Sequence, residues 1–346
     1  MYDFHILLFD EIVKGRFSGF SRTGLLSELP LWGNFSVKDV MEVTGIDQYP
    51  SSVITAGGMQ DLEKLLELVN SRNTGSNIIV GRTGNLTVLD WSVLMTRLKP
   101  ARGIIKVQVG KIPSDLYCVK KKYLISVIKD YIGNAGKKRA DKEFDSFTQF
   151  LFDDALFYNF ERIADFPGFS FFIRDSYEYY RENLRIIKYL RHKSFTKLYE
   201  RLRVKATSNT LVGQSAVIRN SLLGNGASVF GRVEDSVIFN DVSVGSNTFI
   251  KNSVILPSNV IEEGVEIENS LVLGGDPRVI EKDCKIGKDG SFENVQDPSR
   301  MSIAEVSSSE VSRDGLVIVT EDVRISAGSL IMPVDFIRQE VGTVLS

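Results

Sequence analysis

The sequence predicts two folds in tandem: a mostly parallel, doubly wound α/β domain over residues 1–205, then a parallel β-helix over residues 206–346. Two observations carry this expectation. The first half alternates strand-like and helix-like stretches, and the second half becomes self-similar from about Val212 onward. The composition agrees, because 346 residues at 43% hydrophobic and 25% charged suffice for two medium-sized cores.

The first half has α/β grammar. His5–Phe9, Val53–Thr55, Asn77–Val80 and Ile104–Val109 read as strands, and Asp61–Val69 carries helical spacing. Lys121–Tyr131 and Asp145–Phe157 read as amphipathic helices. Phe169–Ile173 is a short aromatic strand ahead of a helix from Ser176 to Leu190. After Leu202 the segment from Lys193 to Ser208 runs short of large apolar residues, which puts the boundary near residue 205.

In the second half Asn220-Ser221, Asp235-Ser236, Asn252-Ser253 and Asn269-Ser270 recur, with the serines at intervals of 15, 17 and 17. Aliphatic residues return about every six positions, at Ile238, Val244, Ile250, Leu256 and Ile261. Each six-residue step is then a short strand plus a turn, three steps close one coil, and successive coils stack at about 4.8 Å. A β-sandwich would instead show period-two alternation and irregular loop spacing. The pattern lapses after Gly274-Gly275-Asp276-Pro277, the serine-rich stretch 302–309 reads as a loop, and residues 315–328 resume the repeat. Phe336-Ile337 offers an apolar lid for the last coil.

Composition also excludes several functions. A net charge of -2 gives no general electrostatic reason to bind nucleic acid or an anionic membrane. No run of about 18 apolar residues exists, and the opening MYDFHILLFDEIVKG is acidic where a signal peptide is basic, so the expected location is cytoplasmic. Cys118 and Cys284 are far apart, outside any CxxC motif, and read as buried free thiols. The histidines, His5 and His192, support no Ser-His-Asp or Cys-His arrangement. Asp153-Asp154 reads as a solvated helix face, and Tyr177, Tyr179 and Tyr180 as packing groups.

Four stretches resemble the sugar-nucleotide transferases that make ADP-glucose, the glucose-1-phosphate adenylyltransferase (ADP-glucose pyrophosphorylase) family. Ser27–Val40 (SELPLWGNFSVKDV) resembles its AKPAVPFGGKYRIIDF segment, and Asn77–Trp91 (NIIVGRTGNLTVLDW) its strand-turn segment ending in GDHIYKMDY. Ser114–Val119 with the succeeding Lys122–Ile125 is similar to SMDMYII and its helix, and Phe169–Leu184 is similar to GYxxxIxSIxSYYEANxxL. The resemblance implies an α/β nucleotidyltransferase domain joined to a left-handed β-helix of hexapeptide repeats.

Departures from the family pattern point to lost chemistry. The family's GGxGxRL loop cradles nucleotide phosphates on backbone N–H groups. Here the first strand leads into Asp10-Glu11-Ile12-Val13-Lys14-Gly15-Arg16, with acidic residues in the phosphate position. Glu28 stands where the family has the lysine of AKP, and Gly81-Arg82-Thr83 where it has the metal-binding aspartate of GDH. No EKP sugar-binding element occurs. The resemblance is therefore closest to the family's non-catalytic regulatory subunit.

By that resemblance the chain is expected to be a cytoplasmic regulatory, allosteric subunit of glycogen biosynthesis that is inactive alone. It would have no catalytic residues, metal or cofactor of its own, and would sit in a homo- or heterotetramer whose catalytic subunit supplies the Mg2+ site. A sugar-phosphate or organic-phosphate effector would bind the basic segment Arg191, His192, Lys193, Lys197, Arg201 and Arg203, to which Lys188 and Lys205 belong, near the domain junction. The competing reading of that segment is a solvated helix and linker. Lys14, Arg16, Arg22 and Arg82 form a candidate residual phosphate site, against the alternative that Arg82 is a surface residue of a decayed loop. Rival functions are an active nucleotidyltransferase for another sugar phosphate, with metal ligands rebuilt from Asp90 or Asp115, and a stand-alone sugar-phosphate sensor. An acyltransferase is disfavoured because no histidine occurs beyond His192.

Overall fold

A computed structural model describes residues 3–11, 24–55, 59–72, 74–98, 103–138, 144–203, 209–274, 278–287, 316–319 and 325–331. In chain order the elements before the repeat are β1 (Phe4–Asp10), the hairpin strands β2 (Pro30–Leu31) and β3 (Phe35–Ser36), α1 (Val37–Val43), β4 (Ser51–Thr55) and α2 (Met59–Asn70). Then come β5 (Asn77–Arg82), β6 (Asn85–Leu89), α3 (Trp91–Arg97), β7 (Ile104–Val109), β8 (Ile112–Lys120) and α4 (Lys121–Lys138). The series ends with α5 (Phe144–Gln149) running into a π-helical turn (Phe150–Leu156), then β9 (Phe160–Phe166), β10 (Gly168–Phe172), α6 (Ser176–Tyr189) and α7 (Lys193–Arg203).

Two compact units result. The first holds Met1–Val13, Gly24–Leu29 and Val37–Arg174; the second holds Lys14–Thr23, Pro30–Ser36 and Asp175–Ser346. This division differs from a single cut near residue 205: the β2–β3 hairpin, α6 and α7 all cluster with the coil.

The sheet of the first unit has the order β4-β1-β5-β8-β7-β9. Its central strands are buried on both faces. Leu7, Phe9, Ile78, Val80, Tyr117 and Val119 pack with α2, α4 and α5 on one side. Ile6, Leu8, Ile79, Ile105, Leu116 and Cys118 pack with Trp91 and Leu94 of α3 on the other. This two-sided burial explains the near-continuous apolar runs of β1 and β5. The sheet is mostly parallel, as expected, with one antiparallel strand. β1 is parallel to β4 and β5, and β7 to β9, but β8 is antiparallel to both β5 and β7. The cause is the connection between β7 and β8. Gly110-Lys111, at φ 58° and 65°, form a two-residue hairpin turn, whereas a parallel neighbour needs a crossover of about a dozen residues or more.

In the second unit three parallel sheets form the walls of the coil. One stacks the strands beginning at residues 211, 228, 243, 259 and 278, the second those at 217, 232, 249, 266, 285 and 330, and the third those at 222, 237, 254, 270 and 317. The inward aliphatics Val229, Val233, Ile238, Val244, Ile250, Ile255, Ile261, Ile267 and Val272 make one continuous core. The expected hexapeptide β-helix is therefore present, and its resumption after the lapse is real, because Val317–Val319 pairs with Ser270–Val272. Residues 302–309 and 336–337 lie outside the described residues.

The repeated Asn/Asp-Ser pairs have a local cause. Asn220, Asp235, Asn252 and Asn269 turn the corner at φ 44° to 48°, a left-handed conformation that Asn and Asp adopt more readily than other non-glycine residues. The serine after each one builds a ladder. Its hydroxyl donates to the carbonyl two residues back, and accepts the N–H of the serine in the next coil: Ser236 to Ser221, Ser253 to Ser236, Ser270 to Ser253, at 3.0–3.2 Å. Buried donors at the corner are thereby satisfied.

Candidate functional site

In an open α/β sheet a ligand is expected beyond the carboxyl ends of the central strands. Here β1 and β5 end in Asp10-Glu11 and Arg82-Thr83-Gly84. Both acids are buried and face inward to their own backbone. One oxygen of Asp10 accepts the Ser27 N–H at 3.0 Å and the Thr83 hydroxyl at 2.9 Å. A Glu11 carboxylate oxygen accepts the Gly84 N–H at 3.2 Å, and the Glu11 N–H donates to the Thr83 hydroxyl at 3.3 Å. A Cβ on residue 84 would lie 2.2 Å from that Glu11 oxygen, so glycine is what lets the carboxylate approach. The N–H groups of Ser27 and Gly84 are thus taken by carboxylates of the same chain.

Arg82 is held inside the unit. Its Nε donates to Asp115 at 2.7 Å, one terminal nitrogen reaches Asp153 at 3.2 Å, and its guanidinium lies 5.2 Å from the centroid of Phe152. Its side chain is 10% exposed and that of Asp115 16%. Burial works against its charge, but Asp115, Glu11 and Asp153 outweigh this and hold the guanidinium above its ordinary range. Arg82 is therefore not a surface residue of a decayed loop, and Asp153 is not merely solvated. As members of a residual phosphate site, Lys14, Arg16 and Arg22 fall outside the described residues; Arg82 already has two carboxylate partners. The cavity beside it, lined by Thr83, Asn85, Trp91 and Asp115 among others, measures about 20 Å³. That holds about one water, whereas small-molecule sites run to about 300–1,000 Å³.

The acids expected as rebuilt metal ligands are both engaged. Asp90 caps α3, accepting the N–H groups of Ser92 and Val93 at 2.9 and 3.2 Å, and Asp115 holds Arg82. Among the described residues no three or more His, Cys, Asp or Glu side chains are grouped to hold a metal ion.

In the second unit, two of the family-like stretches meet and act as a clip. From α6, the Tyr179 hydroxyl donates to the Pro30 carbonyl, while Asn183 accepts the Trp32 N–H at 2.9 Å and donates to the Tyr179 carbonyl at 3.0 Å. Trp32 and Phe35 then pack edge-on against Phe195 and Tyr199 of α7, at 5.2 and 5.7 Å. At the hairpin tip Asn34 accepts the Asn225 N–H and the Gly33 carbonyl accepts the Asn240 N–H, tying the hairpin to the coil.

The basic segment does not converge on one point. Lys193, Lys197 and Arg201 fall at four-residue spacing on the exposed side of α7, opposite the buried stripe Phe195, Tyr199 and Leu202. Residues 193–203 are thus an amphipathic helix rather than a linker. Arg191 donates to Asn220 of the coil at 3.1 Å, and His192 is exposed. Arg203 is in the last turn of α7, and Lys205 lies outside the described residues.

A larger feature lies beside Arg191. A cleft of about 260 Å³ runs along α6, where Tyr177, Tyr180, Arg181, Arg185 and Lys188 face the coil corner of Asn220, Asp235 and Asn252. Below it the Glu182 carboxylate, fully buried, receives Arg185 at 2.5 Å and Arg181 at 3.5 Å. Burial first of all pushes this carboxyl above the usual range, against the pull of the two arginines. Arg181 and Arg185 are functional candidates that sequence reasoning missed. Their spacing with Lys188, one helical face at i, i+4 and i+7, was the available signal.

Together these features define a class: an α/β unit with a Rossmann-like sheet ahead of a hexapeptide-repeat β-helix. Comparison with known proteins agrees for the hexapeptide-repeat part. Residues 205–319 match the family described as GlmU-like, C-terminal hexapeptide. The chain is 32% identical over 111 residues to the glucose-1-phosphate adenylyltransferase of Desulfitobacterium hafniense strain Y51, covering 32% of this chain and 27% of that protein. It is 37% identical over 95 residues to the same-named protein of Desulforamulus reducens, covering 27% and 23%. With that of Clostridium perfringens strain 13 it shares 36% identity over 76 residues, covering 22% and 19%. The chain spans about a quarter of the length of the curated relatives it matches. These similarities, at 32–37% identity, extend over at most about a third of this chain.

Proposed function

We propose that the chain is a regulatory, catalytically impaired subunit of glucose-1-phosphate adenylyltransferase in glycogen or related α-glucan synthesis. It would tune ADP-glucose formation from ATP and glucose-1-phosphate by a catalytic partner, within a tetramer whose catalytic subunits hold the Mg2+. The observation that carries this reading is the filled ligand position of the first unit. Asp10 and Glu11 occupy the backbone donors, and Arg82 is locked to Asp115 and Asp153. A catalytic metal contributes several kcal/mol of transition-state stabilisation, and about 1.36 kcal/mol is a factor of ten in rate. Losing the metal ligand and the phosphate cradle together removes useful turnover.

The effector half of the reading assigns a phosphorylated effector to the basic surface from Arg191 to Arg203. The rival reading of an active enzyme for another sugar phosphate is opposed by Asp90 and Asp115, both engaged structurally.

The deciding experiment measures pyrophosphate release from ATP and glucose-1-phosphate with Mg2+, first with this chain alone and then with the catalytic subunit of the same organism. Silence alone, with a shifted effector response of the partner, is the expected result. Turnover by the chain alone at about 1 per second, within the range of working enzymes, refutes the reading.

A further inference from the structure

The cleft along α6 combines features that select against an anion. Arg181 and Arg185 already face the Glu182 carboxylate, at 3.5 and 2.5 Å, and Arg181 also reaches Glu178 at 3.9 Å. Across the cleft stands a third carboxylate, that of Asp235. Three cations, Arg181, Arg185 and Lys188, are therefore matched by three acids, Glu178, Glu182 and Asp235. A phosphate entering this space gains no net charge and meets Asp235.

A neutral polyol meets the opposite situation. Each sugar hydroxyl both donates and accepts, and the walls offer both functions: guanidinium and amide N–H donors, and a carboxylate acceptor. Asp235 and Asn220 are held to each other at 2.5 Å, and Asn252 is fixed by the left-handed corner, so these groups are ordered before any ligand arrives. Tyr177, with the Arg181 guanidinium 5.9 Å from its ring centroid, and Tyr180, anchored through its hydroxyl to the Asn252 carbonyl, supply flat apolar rings for the C–H faces of a sugar. At about 260 Å³ the cleft is below the usual range for drug-sized ligands, about 300–1,000 Å³, and suits a short saccharide rather than a nucleotide.

We propose that the cleft between α6 and the Asn220–Asp235–Asn252 corner is a saccharide site that binds the end of a neutral α-glucan chain. The neutral-saccharide chemistry stands on the cleft alone; the choice of α-glucan rests on the proposed function. Such a site tethers the protein to the polymer whose precursor its partner would make. It is separate from the exposed basic stripe of α7.

The test uses the full chain without any partner, so that it is independent of pyrophosphate release. Maltoheptaose, cellohexaose and glucose 6-phosphate are each titrated by calorimetry, and migration is followed in native gels cast with and without glycogen. Maltoheptaose binding and retardation in glycogen gels are expected. Asp235→Asn keeps the corner conformation and the Asn220 contact but removes the charge, and is expected to weaken maltoheptaose binding about tenfold. Tyr177→Ala, at a half-buried side chain, serves as the second variant and is expected to abolish retardation with an unchanged unfolding midpoint. Tighter binding of glucose 6-phosphate than of maltoheptaose, a preference for cellohexaose, or no binding of maltoheptaose overturns the proposal. A chain that binds maltoheptaose yet leaves a catalytic partner's effector response untouched refutes the regulatory reading and leaves the saccharide site standing.

Discussion

The interior position of Arg82 makes a quantitative prediction. Breaking a buried ion pair by removing one partner costs about 3–5 kcal/mol, because the other charge is left uncompensated. With Arg82 10% and Asp115 16% exposed, some water reaches the pair, and Arg82→Met is expected to cost the first unit about 2–4 kcal/mol. Asp153, 49% exposed, adds under about 1 kcal/mol of this. Asp115→Asn is expected to cost less than Arg82→Met, since Arg82 keeps Asp153 and Glu11 nearby. The double variant should fall well short of the sum of the singles, by a coupling of about 1–3 kcal/mol. Trp91 belongs to the first unit and Trp32 to the second, and both are buried. Urea unfolding followed by Trp91 fluorescence in a Trp32→Phe background therefore reports the unit that matters. Additive effects, or an Arg82→Met cost under about 0.5 kcal/mol, typical of surface substitutions, would show that Arg82 is free to meet a ligand.

Two further predictions concern other elements. Ser253→Ala removes the acceptor of the buried Ser270 N–H and is expected to destabilise the coil by about 1–3 kcal/mol; a urea midpoint of the Trp32 signal equal to that of wild type would contradict the ladder. His5, bonded to Ser52 at 3.1 Å, has its pKa lowered by burial first and then by Lys121, so the folded state favours the neutral ring. Its contribution to stability is complete above its unfolded pKa of about 6.5 and is lost as pH falls from there through the lowered folded value. The difference in unfolding free energy between wild type and His5→Asn should shrink from about pH 7.5 to about pH 5, and a pH-independent difference would place His5 in solvent.

The second unit is far more legible in the sequence than the first. Each corner of the coil is a local arrangement, Asn or Asp in a left-handed turn with a ladder serine after it, and it repeats, so the period is visible without knowing what touches what. The first unit depends on pairings remote in sequence. The antiparallel placement of β8 rests on Gly110-Lys111, a turn without the Asn-Gly pair that usually announces a hairpin. The acids Asp10-Glu11 and the basic Arg82 at the strand ends are readable in the sequence. That these residues bond to Ser27, Gly84, Asp115 and Asp153 is not, since those partners lie remote in the chain. Helix α7 resembles a linker in sequence because Phe195, Tyr199 and Leu202 form a narrow apolar stripe among many charges. The α6 cleft is hidden in the sequence because Tyr179 and Asn183, which fit the family pattern, turn inward to hold the hairpin, while Arg181 and Lys188 of the same helix turn to the coil.

The serine ladder also constrains how this protein can change in length. Each rung bonds only to the rung on either side, so removing residues 253–269 would set Ser270 directly on Ser236 and every wall strand on a suitable neighbour. A deletion that removes only part of a coil would bring a corner asparagine over a strand and a core isoleucine over a turn. Changes in length within the wall strands are therefore quantised, one whole turn of the coil at a time, and the coil behaves as a ruler graduated in steps of about 4.8 Å.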